Sequence, residues 1–146
     1  MKRFFAVMAM LLTLCLLTGC SFTTNYSDNT GKTAAESTER VSQMLQALAD
    51  GDTDAALALM HPEAVDKAGK FMDQMRDFLA GRAVAEMEQV GVRVNTSTGT
   101  AGKSHQEITN FQVRLEDGTE IYVAATYYSN NAGEGFVSFQ LVLGIV

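Results

Sequence analysis

The sequence predicts an α+β domain in which N-terminal helices pack on a four-stranded antiparallel sheet. Apolar residues recur at helical spacing from Val41 to Leu79, and the period changes to two from Val90 onward. Asp-Gly and Asn/Gly-rich turn signals separate the last three apolar runs. Helices first and a strand meander afterwards place the helices on one face of the sheet.

The first helix is predicted to begin at Thr33, because Thr33-Ala34-Ala35-Glu36 has the spacing of a capping box. Val41, Met44, Leu45 and Leu48 follow at i, i+3, i+4 and i+7, and the helix ends near Asp50-Gly51. A second, short helix fits "DTDAALALM", with Asp52 or Thr53 as its N-cap. His61 ends it, since the residue before a proline avoids the α region. Pro62 suits the first position of a third helix, with Glu63 near its positive end. Val65, Ala68, Met72, Met75 and Leu79 form the apolar stripe of that helix, flanked by Phe71 and Phe78, and Gly81 closes it. Residues 82–89 carry no decisive period.

Val90, Val92 and Val94 alternate with polar or small residues and mark the first strand. Phe111, Val113 and Leu115 mark the second, which runs into the hairpin signal Glu116-Asp117-Gly118. Ile121, Val123, Ala125 and Tyr127 lie on one face of the third, and "SNNAGEG" turns the chain into the fourth, Val137 to Leu143.

The segment before the domain has a different character. Lys2 and Arg3 precede an apolar run from Phe4 to Leu17, broken by Thr13 alone. Its 14 residues fall short of the roughly 20 that span a bilayer. A charged start, an apolar run and small residues make a signal peptide. Leu17-Thr18-Gly19-Cys20 resembles the lipobox of bacterial lipoproteins at all four positions. That resemblance implies a thioether-linked lipid on Cys20, cleavage before it and acylation of the new amine. Ser21, in place of Asp, resembles the outer-membrane sorting signal of Gram-negative lipoproteins, which implies a domain facing the periplasm. The chain then divides into a signal peptide over 1–19, a lipidated tether over 20–32 and a globular domain over 33–146. The tether is polar and aperiodic, and as a coil it reaches on the order of 20 Å.

Cys15, the other cysteine, leaves with the signal, so no disulfide forms within one mature chain. Without Lys2 and Arg3 the chain carries 9 basic and 17 acidic side chains, a net charge of −8. Such a surface repels phosphate backbones, which excludes nucleic acid as a partner.

Within the domain, "QALADGDTDAALALMHPEAV" with the closing strands "GTEIYVAATYY" and "GFVSFQLVLG" resembles the nuclear transport factor two-like superfamily, which includes ketosteroid isomerase. A cystatin-like helix-on-sheet arrangement is the alternative. The first resemblance implies a cone with an inner cavity and a sheet face suited to dimers.

Candidate motifs reduce to structural roles. Gly99-Thr100-Ala101-Gly102-Lys103-Ser104 ends like a phosphate-binding loop, but the first required glycine is Ser97 and a strand follows where a helix should receive the phosphate. Asp50, Asp52 and Asp54 have the opening spacing of a calcium loop, yet Ala55 and His61 replace its glycine and its bidentate glutamate. Capping explains them better. Neither His61 nor His105 has a second ligand at zinc spacing, and no serine lies in a G-x-S-x-G elbow. No metal or cofactor is expected.

Tyr127 points at the helices and is the candidate ligand-binding residue. In the isomerase its counterpart works with an inward carboxylate; Asp73 and Asp77 lie on the polar side of the third helix, and Asp66 alone borders the stripe. On the opposite face Tyr122, Tyr128, Phe136 and Val142 form a candidate interface for a homodimer or an envelope partner. The expected function is a membrane-anchored envelope lipoprotein, attached to the bilayer through Cys20, with a non-catalytic binding domain. A cone-cavity enzyme of isomerase or hydratase type and a self-assembling structural lipoprotein are the alternatives.

Overall fold

The computed structural model describes residues 30–100 and 102–144. The expected signal peptide, Cys20 and most of the expected tether lie outside these residues. The architecture is α+β: three helices, α1 (Thr30–Ala49), α2 (Thr53–Ala58) and α3 (Val65–Leu79), pack on a sheet of β1 (Val84–Gly99), β2 (Gly102–Leu115), β3 (Glu120–Asn130) and β4 (Gly133–Leu143). The strands follow one another antiparallel in chain order, and the sheet does not close.

Helix α1 begins at Thr30, so Thr33 lies inside it rather than capping it, and residues 30–32 are helix rather than tether. Val41, Met44, Leu45 and Leu48 form its buried stripe as the spacing predicts. Its end is a Schellman motif: the Gly51 N–H donates to the Leu48 carbonyl, the Asp52 N–H donates to that of Ala47, and Gly51 takes φ +73°. Asp52 then caps α2, its Oδ1 accepting from the Ala55 N–H at 2.9 Å. That capping role was legible in the aspartate pattern.

Pro62 does not start α3. It is the second residue of a turn in which the Ala64 N–H donates to the His61 carbonyl at 2.8 Å, and α3 begins at Val65. A proline fixes the backbone angle for that turn position as readily as for a first helical residue. Ala68, Met72, Met75 and Leu79 are buried along α3.

The sheet departs most from expectation at β1 and β2. Residues 84–89 belong to β1, hidden because irregularities between Val84 and Glu86 and between Gln89 and Gly91 break the two-residue period. Strand β2 starts nine residues before Phe111, because its inward positions include Glu107 and Thr109 rather than apolar residues. Val90, Val92 and Val94 are exposed on β1, the edge strand of the sheet. The inner face is filled by Phe111, Val113 and Leu115 of β2 and Ile121, Val123 and Ala125 of β3.

Strict alternation put Phe136 on the outer face, whereas it is 2% exposed and sits in the core. The register shifts there: Thr126 pairs with Ser138 but Tyr127 pairs with Phe136, so Val137 is an extra residue and the facing of the strand changes. Phe136 also anchors the helix layer. Its N–H donates to the Leu59 carbonyl and its carbonyl accepts from the His61 N–H, both at 2.9 Å, in a parallel bridge between Met60 and Phe136.

This bridge requires Gly135. At φ +153° a Cβ there would lie 2.4 Å from both the His61 nitrogen and the Met60 carbonyl carbon. The buried His61 ring meets the Tyr128 ring at 5.6 Å. His61 Nε2 bonds Asn130 Oδ1 at 3.1 Å, while Nδ1 accepts from the Glu63 N–H at 3.2 Å, so both nitrogens are used structurally. We predict that Gly135→Ala costs about 3 kcal/mol of stability, the scale of a backbone clash, in urea denaturation; a loss under about 0.5 kcal/mol, typical of a neutral surface change, refutes the bridge as a stability determinant.

Candidate functional site

Two regions of the inner face carry chemistry. The first is polar and lies where β2 and β3 meet α1. Antiparallel register sets Glu107 opposite Tyr127 on the inner face. Glu107 is 2% exposed, with Arg40 Nη1 of α1 at 3.8 Å from Oε2 and His105 Nε2 at 3.9 Å from the same oxygen. The Arg40 guanidinium also lies 4.1 Å over the Tyr127 ring, a cation–π contact, and 3.5 Å from Glu36. Ser37 contacts the Glu107 carboxylate and accepts a hydrogen bond from Gln89 Nε2 at 3.1 Å.

The second oxygen of Glu107, Oε1, is buried with no hydrogen-bond partner among the described residues. Burial raises the Glu107 pKa above the ordinary carboxylate range, although Arg40, the Ser37 hydroxyl and His105 each pull it down. Burial also raises that of Tyr127, Arg40 pulls it down, and the neighbouring Glu134 adds to the rise. The inward carboxylate and the inward tyrosine thus sit side by side. Asp66 is exposed, and Asp73 and Asp77 are exposed and paired with Arg76.

The second region is an apolar groove of about 740 Å³ between α3 and β4. Met72 and Met75 form its floor on the helix side, Phe139 and Leu141 on the strand side, and Phe71, 64% exposed, forms its lip. Lys67, Gln74 and Gln140 make its polar rim. Methionine suits such a surface because its unbranched thioether adapts to the shape laid on it. Tyr122 and Val142 pair across β3 and β4 and are exposed beside this edge; Tyr128 is half-buried against His61. Of the predicted interface, Tyr122 and Val142 therefore lie together and Phe136 lies inside.

Glu107 and the groove were not foreseen. A lone glutamate among polar neighbours gives no sign of facing inward until the reach of β2 is known. The groove arises from helix–strand spacing, which no single segment encodes. Among the described residues no three His, Cys, Asp or Glu side chains converge as a metal site, and no helix is long and apolar enough to cross a membrane. No family model matches the sequence, and no curated protein matches it.

Because the folded state raises the Glu107 pKa, it holds that proton more tightly than the unfolded chain does. The contribution of this group to stability is greatest below the ordinary glutamate range and falls as pH rises through the folded value. Glu107→Gln should therefore stabilise the domain by about 1 kcal/mol at pH 7.5, the scale of one unsatisfied buried group. The gain should shrink towards pH 4 in paired denaturation curves; a gain that does not change with pH contradicts the assignment.

Proposed function

We propose that this chain is a membrane-anchored lipoprotein of the cell envelope whose domain works by binding rather than by turnover. The observation that carries the binding role is the open apolar groove between α3 and β4. Its volume lies within the range of sites that enclose ligands or partner segments, and its lip leaves Phe71 largely in water. The anchor rests on the lipobox-like Leu17-Thr18-Gly19-Cys20, and Ser21 favours the periplasmic face of an outer membrane if the cell is Gram-negative. Three helices followed by four sequential strands also suit the cone of the nuclear transport factor two-like superfamily, and the irregularities in β1 and β4 favour the curvature such a cone needs.

The two halves are tested separately. Cys20→Ala should leave an unprocessed precursor lacking the lipid mass; a processed product of normal mass refutes the anchor. A photo-crosslinking residue at Phe71 should give an adduct of defined mass in intact cells, whereas the same residue at Thr98, on the exposed hairpin, should not. Equal labelling at both sites, or none at either, refutes the groove as the binding site.

A second reading, an enzyme of isomerase or hydratase type, is favoured by Glu107, a buried carboxyl with a free oxygen and a raised pKa. It requires proton abstraction by that oxygen. Deuterium uptake from heavy water by a panel of ketones, abolished in Glu107→Gln, supports this reading; no exchange beyond the solvent background rejects it.

A further inference from the structure

We infer that the groove and the free edge of β4 receive β4 of a second copy of this chain, joining two sheets into one eight-stranded antiparallel sheet. This inference rests on the reading of the groove as the binding site and names its occupant.

Among the described residues, strand β4 hydrogen-bonds to β3 on one side only, and the Met60–Phe136 bridge covers just the start of its other side. From Val137 to Leu143 the edge reads Val-Ser-Phe-Gln-Leu-Val-Leu, with no charge and no proline. Edges that stay unpaired are normally blunted by charged residues, bulges or proline. Strand β4 has one irregularity, at Val137, where the stretch begins, whereas the opposite edge, β1, carries Glu86, Glu88 and Arg93 and two irregularities. The two edges of one sheet thus differ, and β4 is the one fitted for pairing.

The sequence of that edge is also self-complementary. Antiparallel pairing about a two-fold axis at Gln140 sets Phe139 opposite the partner's Leu141, Val137 opposite the partner's Leu143, and Ser138 opposite the partner's Val142. Apolar residues meet apolar ones, and the two Gln140 amides face each other on the axis. No charge falls within the paired stretch, so the net charge of each copy does not oppose contact locally. An axis perpendicular to the sheet keeps both helix layers on the same face. Each α3 stays over its own sheet and lines the seam, where Phe71 meets the partner copy.

The areas agree with a stable pair. Phe71 is 64% exposed, Val137 36%, Val142 54% and Leu143 59%. With ordinary side-chain areas these leave about 400 Å² of apolar surface per copy, so a symmetric pair covers roughly 800 Å². With its polar rim, such an interface reaches the standard size of a specific complex. Isologous contacts of this kind close as dimers and do not propagate into fibres.

The test is disulfide trapping in membranes carrying the full chain. Gln140→Cys places two thiols on the two-fold axis, within cross-strand distance. Mild oxidation should convert most of this variant to a dimer, while Thr98→Cys and the parent chain stay monomeric. Adding Val142→Lys to Gln140→Cys should lower the dimer yield at least fivefold, since a lysine on an edge strand opposes pairing there. Both positions are exposed, so neither change disturbs the core. If Gln140→Cys dimerises no more than Thr98→Cys, the second copy is refuted as occupant. A Phe71 crosslink to a different protein in that case leaves the groove as a binding site; no Phe71 adduct at all refutes the groove as well.

Discussion

The backbone bridge between Met60 and Phe136 is the constraint on which the other features depend. Two hydrogen bonds of 2.9 Å tie the turn after α2 to the first residues of β4, and they do so across 76 residues of chain. A contact this distant in sequence carries a large closure entropy, so it persists only because the groups around it cooperate. Gly135 admits the backbone, His61 fills the space above it and satisfies Asn130, and the extra residue Val137 turns Phe136 inward. The bridge fixes where α3 starts and how far it stands from β4. The groove is the space that this anchoring leaves further along the strand.

The inner face of the sheet is consequently divided. Its middle is filled by helix stripes against Phe111, Val113, Ile121 and Val123. One end is polar, where Arg40 lies between the buried Glu107 and the Tyr127 ring, and the other is the open groove. The polar end costs stability. A carboxylate with a buried, unbonded oxygen is penalised by desolvation, and a guanidinium at 3.8 Å offsets only part of that penalty. An apolar residue at position 107 would hold the same strands together without that cost.

What could be read from the sequence follows the strength of its periodicities. Helices α1 and α3 present uninterrupted apolar stripes, and β3 alternates cleanly from Ile121 to Tyr127, so both layers and the inward facing of Tyr127 were legible. The irregularities in β1 disguised residues 82–89, and Glu107 and Thr109 disguised the first part of β2. Phe136 was misplaced by the single extra residue Val137, because a period of two cannot survive an insertion. Glu107 was missed for the same kind of reason: its significance lies in which face it occupies and what α1 lays over it. Local pattern carries neither fact.

Helix α1 is the first described element, extending back to Thr30, and its stripe is buried from Val41 to Leu48. With a lipid on Cys20, as proposed, a pull between membrane and domain would reach the core through the N-terminus of this helix. Its apolar stripe and the Arg40 ion pair would then be loaded in shear, all together, rather than peeled one contact at a time. A domain held this way transmits mechanical force from its anchor into the sheet before its fold begins to yield.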